Sequence, residues 1–210
     1  KINGAIPSVG QAIEKRDAEF IRALARKQVE ARAEYLDICA GTRPELEYDA
    51  LCWLIDLVQD TVDIPLCVDS PNVRILERVL PRVRKKNGII NSVSMEGDKC
   101  DIVFPLMEGT EWQVIALTCD GTGVSCTTEQ KMAITDRIVE KAAEFGIGTE
   151  RIYIDPLVLA LSAVNDSMLA FMEALRLIKA KYPTIKSTSG ISNISFGMPD
   201  RALINSTFIA

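Results

Sequence analysis

A chain of 210 residues, 48% of them hydrophobic and divided by no Gly/Ser/Pro-rich linker, can bury one sizeable core and reads as a single domain over residues 1–210. The net charge of −5 is modest, the 24 basic residues are mostly scattered, and no apolar run reaches bilayer length, which argues against nucleic-acid and membrane partners. Histidine is absent, which excludes serine–histidine and cysteine–histidine mechanisms and argues against a zinc site, since the usual general base and the commonest metal ligand are both missing.

Six cysteines (Cys39, Cys52, Cys67, Cys100, Cys119 and Cys126) form no C-x-x-C pair, and several lie in apolar runs, so they read as reduced thiols of a soluble cytoplasmic protein. In chain order, Ile2 to Val9 read as a loop with no strand ahead of it. Asp17 caps a helix with Phe20, Leu24 and Ala25 as its apolar positions, and Tyr35-Leu36-Asp37-Ile38-Cys39 is a short buried strand ending at Ala40-Gly41. Pro44 opens a helix with Ala50, Leu51, Leu54, Leu57 and Val58 on one face. The strand Pro65 to Val68 runs into Asp69-Ser70-Pro71-Asn72, and Val73, Leu76, Leu80 and Val83 give the next helical stripe. The basic run Arg82-Val83-Arg84-Lys85-Lys86 fits a solvated helix end, where cations complement the dipole.

Gly88 to Val93 is the next strand, Cys100 to Met107 a short helix, and Trp112 to Thr118 a longer strand ending near Asp120-Gly121-Thr122-Gly123. Thr127 and Gln130 have capping-box spacing ahead of a helix striped by Ile134, Ile138, Ala142 and Phe145 and closed by Gly146. Arg151 to Ile154 is a strand followed at once by Asp155-Pro156, and Met168, Phe171, Met172 and Leu175 mark the next helix face. The last strand, Ile185 to Thr188, leads into Gly190-Ile191-Ser192-Asn193-Ile194-Ser195-Phe196-Gly197-Met198-Pro199. Pro199 suits the first turn of a final helix that runs to Thr207-Phe208.

This β-α alternation, with polar residues closing nearly every strand and no Gly-rich phosphate turn after an early one, points to an α/β fold of the TIM (β/α)8 barrel type. Six strands are counted where a barrel has about eight, so the chain reads as truncated at both ends, before Lys1 and after Ala210. On one barrel Asp69, Asn91, Asp155 and Asn193 would reach a common mouth. Two carboxylates and two carboxamides suit a neutral heterocycle with adjacent N–H donors, because one ionised carboxylate accepts two parallel hydrogen bonds, and the same set repels phosphate. Helix N-capping is the competing role for Asp69 and Asp155, and a self-capping turn built on Ser192, Asn193 and Ser195 is the competing role for the Gly190 loop.

Ile2-Asn3-Gly4, Leu36-Asp37 with Gly41, Val68-Asp69-Ser70, Ile90-Asn91-Ser92, Ile154-Asp155-Pro156, Gly190 to Ser195, and Arg201 with Asn205 resemble, in that order, the pterin-binding methyltransferases that act on methyltetrahydrofolate and a corrinoid protein. The resemblance covers essentially the whole chain and implies the TIM barrel shared with dihydropteroate synthases. It implies that Asp69, Asn91 and Asp155 hold the pterin, that Asn193 is the catalytic side chain near the methyl-bearing nitrogen, and that Ser192 and Arg201 support it. Asp37 and Asn3 join the substrate-binding positions on the same ground. Methyltetrahydrofolate or tetrahydrofolate would be substrate, a corrinoid (cobalamin) would be carried by a partner protein, and the enzyme would serve one-carbon metabolism, as a homodimer. Cobalt would be the nucleophile, so the enzyme needs none, and Asn193 could donate a hydrogen bond while solvent supplies any proton. Cys39 stands where the family commonly has asparagine, and Gly121 follows Asp120 where a larger polar residue is often seen. The competing activities are dihydropteroate synthesis, which commonly relies on a histidine that this chain lacks, and pterin binding without methyl transfer.

Overall fold

The computed structural model describes residues 1–209. Its contacts divide the chain into two compact units, one of Lys1–Ser92 with Ile102–Val114 and one of Val93–Asp101 with residue 115 onward.

In the first unit, β1 (Ile2–Asn3), β2 (Leu36–Cys39), β3 (Leu66–Asp69) and the start of β4 (Ile89–Met95) lie side by side in that order, each pair parallel. The strand period of two sends Leu36, Ile38, Leu66, Val68 and Ile90 to one face, where all are buried. The connections are α1 (Pro7–Glu14), α2 (Ala18–Glu30), α3 (Pro44–Gln59) and α4 (Val73–Val79). Asp17 caps α2 by accepting from the Phe20 N–H at 3.1 Å, and Pro44 sits at the start of α3, whose Ala50, Leu51, Leu54, Leu57 and Val58 are buried as expected. The buried stripe of α2 is Ile21 and Ala25, and Phe20 is left 40% exposed because the helix turns one position past the face read for it.

Two sequence expectations fail here. Ile2 to Val9 is no loop: Ile2 and Asn3 pair with Ile38 and Cys39, and Pro7 opens α1. A two-residue strand carries too little periodicity to be seen in sequence. Among the described residues the strand count is eight rather than six, with β1 and β6 as the additions. The basic run is a structural clasp: Arg82 pairs with Asp56 at 2.7 Å, Arg84 with Asp60 at 2.5 Å and Lys85 with Asp63 at 2.8 Å, while Lys86 donates to the carbonyls of Leu80 and Pro81.

The end of β4, β5 (Gln113–Asp120), β7 (Ile152–Asp155) and β8 (Lys186–Ser187) are successive neighbours, and β6 (Gly123–Val124) folds back antiparallel on β5. α5 (Lys99–Val103) follows β4, and a 3₁₀ turn over Phe104–Met107 completes the short helix read at Cys100 to Met107. The capping box of α6 (Thr128–Glu144) is complete, with Thr127 and Gln130 bonding each other's backbone. α7 (Ser167–Lys181) buries Phe171 and leaves Met172 54% exposed, against expectation. A 3₁₀ turn at Ile191–Ser195 precedes α8 (Arg201–Ile209), and Pro199 lies before that helix rather than in its first turn. Val158, Phe171 and Ile194 form a small core with Leu161, Met168, Leu175, Ile204 and Phe208 around it, so the middle of the Gly190 loop is anchored by a buried side chain. Among the described residues no helix is long and apolar enough to cross a membrane.

Candidate functional site

Parallel pairing in the first unit sets Asn3 opposite Cys39, Cys39 opposite Asp69 and Asp69 opposite Asn91, a single row across four strand ends. One row back on the same face, Asp37 stands opposite Cys67. Four of the residues expected to bind substrate are therefore neighbours because of register alone. The loops behind them are packed backbone to backbone. A Cβ on Gly4 would lie 1.9 Å from the Ala40 carbonyl oxygen, and Gly41 holds φ at 53°, so both positions require glycine.

Asp69 is only partly exposed, and burial together with the nearby Asp37 charge pushes its carboxyl up to about 6, against a hydrogen bond from the Cys39 thiol that pulls it down. Burial and the Asp69 charge push Cys39 up to about 12, and burial with Asp37 pushes Cys67 up further. Both thiols stay protonated at neutral pH and act as hydrogen-bond donors to the acids rather than as nucleophiles. Cys39 thereby offers a donor to Asp69. The cap of α4 is Asn72, accepting from the Arg74 N–H at 3.0 Å, so the capping role considered for Asp69 belongs to another residue. Ser70 fixes the turn behind Asp69: its N–H donates to the Asn91 carbonyl at 2.9 Å and its hydroxyl to the carboxylate of buried Glu47 at 2.5 Å.

In the second unit Asp155 ends β7 and is 8% exposed. It accepts from the Leu157 N–H at 2.8 Å and from the Gly190 N–H, which oppose the upward push of burial on its carboxyl. It is thus no helix cap, since the next helix, α7, begins at Ser167; it closes a two-residue turn. Asn193 is exposed on the 3₁₀ turn and folds over Gly190, where an added Cβ would come within 2.9 Å of its Nδ2. Arg201 braces this turn, donating from Nε to Ser195 Oγ at 3.1 Å and from Nη2 to the Ser192 carbonyl at 3.0 Å. The Ser195 hydroxyl also donates to the Ser192 carbonyl at 3.2 Å, so the turn bonds to itself as its self-capping reading expects, with Arg201 added to it. Asp155, Ser192, Asn193 and Arg201 are in this unit; Asn3, Asp37, Asp69 and Asn91 are in the other.

A model of the family described as pterin binding enzymes matches residues 7–208. The chain belongs to the pterin-binding enzyme family. Among its relatives, the methylcorrinoid:tetrahydrofolate methyltransferase of Eubacterium limosum is 48% identical over 211 residues, covering 100% of this chain and 78% of that protein. The methionine synthase of Mycobacterium leprae is 27% identical over 89% of this chain, which spans only 16% of it. The solved dihydropteroate synthase of Xanthomonas albilineans in complex with 7,8-dihydropteroate superposes with a TM-score of 0.65 at 16% identity, over 98% of this chain and 77% of that one. The Stenotrophomonas maltophilia dihydropteroate synthase superposes with a TM-score of 0.63 at 14% identity, over 99% of this chain and 78% of that one. At such identities the structures establish the fold alone, and with the strand order they give the α/β TIM-barrel class expected from the alternation.

Pterin-binding members differ in what they do with the ligand, so side chains outside the sequence motifs matter. Lys131 and Glu47 are two that sequence reading missed. Lys131 is 1% exposed on α6, and burial pushes its ammonium down to about 8 while the charges of Cys126 and Asp155 pull it up. The signal was there: Lys131 stands three and four residues before Ile134 and Thr135, on the buried stripe of its helix. Glu47 stands likewise three and four residues before buried Ala50 and Leu51, on the buried stripe of α3.

Proposed function

We propose that this protein is a methyltransferase that moves a methyl group between tetrahydrofolate and the cobalt of a corrinoid carried by a partner protein. The observation that carries this reading is the 48% identity along the whole chain to a protein named for that reaction, in the direction from methylcorrinoid to tetrahydrofolate. The acceptor set suits a pterin. Asp155 is a carboxylate held in place by backbone N–H groups, and an ionised carboxylate is the acceptor that the paired N–H donors of a pterin ring require. Asp69 and Asn91 are assigned to pterin binding on the family resemblance and on their shared row, with Asn3 and Asp37 beside them.

The corrinoid cobalt gives or takes the methyl group, so the chain needs no nucleophile of its own, and its two best-placed thiols are held protonated. What the protein supplies is orientation and hydrogen bonding at the pterin nitrogen that gains or loses the methyl group. Asn193 is assigned that role: its amide donates, its turn is anchored through buried Ile194, and Arg201 fixes the turn's carbonyl. With no histidine in the chain, a proton for the nitrogen comes from solvent. The six free cysteines agree with a cytoplasmic enzyme of one-carbon metabolism, and a homodimer is the assembly we assign.

The test is an absorbance assay of the purified protein with methyltetrahydrofolate and cob(I)alamin, and with methylcobalamin and tetrahydrofolate. Enzyme-dependent conversion in either direction is the expected result. Folate binding without any conversion would leave a non-catalytic pterin-binding barrel, and absence of folate binding would refute the reading. Sedimentation velocity checks the dimer.

A further inference from the structure

The methyl-transfer reading makes no use of Lys131, yet this side chain is the most completely enclosed charge in its unit. Its ammonium donates to the Pro156 carbonyl at 2.6 Å, the Ser125 carbonyl at 2.7 Å and the Leu157 carbonyl at 3.0 Å, with Ser125 Oγ at 3.4 Å. Three carbonyls match its three protons, so the amine has no lone pair or spare donor with which to act on a ligand. Two of those carbonyls belong to the residues directly after Asp155. Leu157 holds φ at 55°, a conformation that costs a non-glycine residue ~1–3 kcal/mol and persists only when neighbours fix it. That same conformation turns the Leu157 N–H back onto Asp155 Oδ1 at 2.8 Å. The ionisable groups whose charges reach the ammonium are Asp155 and Cys126.

We propose that Lys131 is a positioning residue for Asp155: its ammonium ties the Pro156-Leu157 turn to Ser125, fixing the carboxylate in one orientation and holding it ionised as a ligand acceptor. This rests on the reading of Asp155 as the pterin acceptor. Replacing Lys131 by a neutral residue of similar length removes two carbonyl ties from the turn and the positive charge beside the carboxylate. The remaining hydrogen bonds to Asp155 are then on a loosened turn.

The experiment uses the full chain carrying Lys131→Met, with aspartate carboxyl carbons labelled for NMR and the Asp155 signal assigned through Asp155→Asn. The Asp155 titration midpoint should rise, since the Lys131 charge lowers it in the wild type. The tetrahydrofolate KM at pH 7 should rise ~10-fold while kcat stays within about threefold, the pattern of lost ground-state binding. Lys131→Gln, which keeps an uncharged amide donor group, takes its place if the methionine variant does not fold. A folded neutral variant with a lower melting temperature but an unmoved Asp155 midpoint and KM would overturn the proposal, leaving Lys131 a packing residue only. Failure of the pterin reading would look different: wild-type protein would not bind tetrahydrofolate, while the Asp155 midpoint would still move in the variant.

Discussion

Replacing Asp69 by asparagine should make the unliganded protein more stable while removing its function. Burial and Asp37 raise the Asp69 carboxyl from its ordinary 3.8 to about 6, so between those values the folded chain binds the proton more tightly than the unfolded chain. For a raised acid the sign is clear: stability falls as pH climbs from about 4 to 6, and the full cost of the ionised group is present above that window. At 1.36 kcal/mol per pKa unit the rise is worth at most ~3 kcal/mol, and because Asp69 is only partly buried, solvent screening reduces this to ~1 kcal/mol. Asparagine keeps an acceptor for the Cys39 thiol, gains an amide that can donate to Asp37, and carries no charge to desolvate. For a chain of this size ~1 kcal/mol is ~2–4 °C in Tm. Calorimetric melts should therefore put Asp69→Asn above wild type by that amount at pH 7.5, and level with it at pH 4. A lower Tm at pH 7.5, or an equal gain at both pH values, would refute the argument, because then Asp69 is a structural partner and not an acid held at a cost for binding.

Asp155→Ala should leave the fold intact and weaken tetrahydrofolate binding by ~2–3 kcal/mol in titration calorimetry, as for the loss of charge-assisted hydrogen bonds; affinity within twofold of wild type would make Asp155 a turn residue only. Asn193→Ala should lower kcat by ~10- to 1,000-fold with a smaller change in folate affinity, since a bond that strengthens as charge develops on nitrogen belongs to the transition state, and steady-state kinetics separate the two. Gly4→Ala drives a methyl group into the Ala40 carbonyl oxygen and should cost ~3 kcal/mol, read as a lower urea midpoint; an unchanged midpoint would mean that the loops after β1 and β2 are not locked.

The long elements were legible because their signals are redundant. α3 has a proline at its start and seven buried positions, and α6 carries a capping box, so cap and stripe agree. β1 and β6 were missed because two residues cannot display a period, and their strand character comes from the partner strand, distant in the chain for β1 and just across a turn for β6. Phe20 and Met172 were placed on buried faces because an apolar residue next to a stripe looks the same in sequence as one on it. Only the neighbouring helix decides which is covered.

The site was legible at strand ends and opaque one layer behind them. Asp69 and Asp155 stand out because a strand that stops on a carboxylate is visible in sequence, whereas the groups that hold their turns come from helices: Glu47 on α3 bonds Ser70, and Lys131 on α6 bonds Pro156 and Leu157. A lysine or glutamate on a helix reads by default as solvated, and only its phase with the apolar stripe argues otherwise. The two braces differ in sign for a physical reason. Behind Asp69 the turn presents a hydroxyl donor, which an anion can accept; behind Asp155 the turn presents bare carbonyls, because Pro156 has no N–H and the Leu157 N–H is already spent on the carboxylate, so only a hydrogen-bond donor can tie it, and the ammonium of Lys131 supplies it. The proline that made Asp155 resemble a helix cap in sequence is thus the residue that leaves this turn dependent on a donor from elsewhere, which the buried lysine provides.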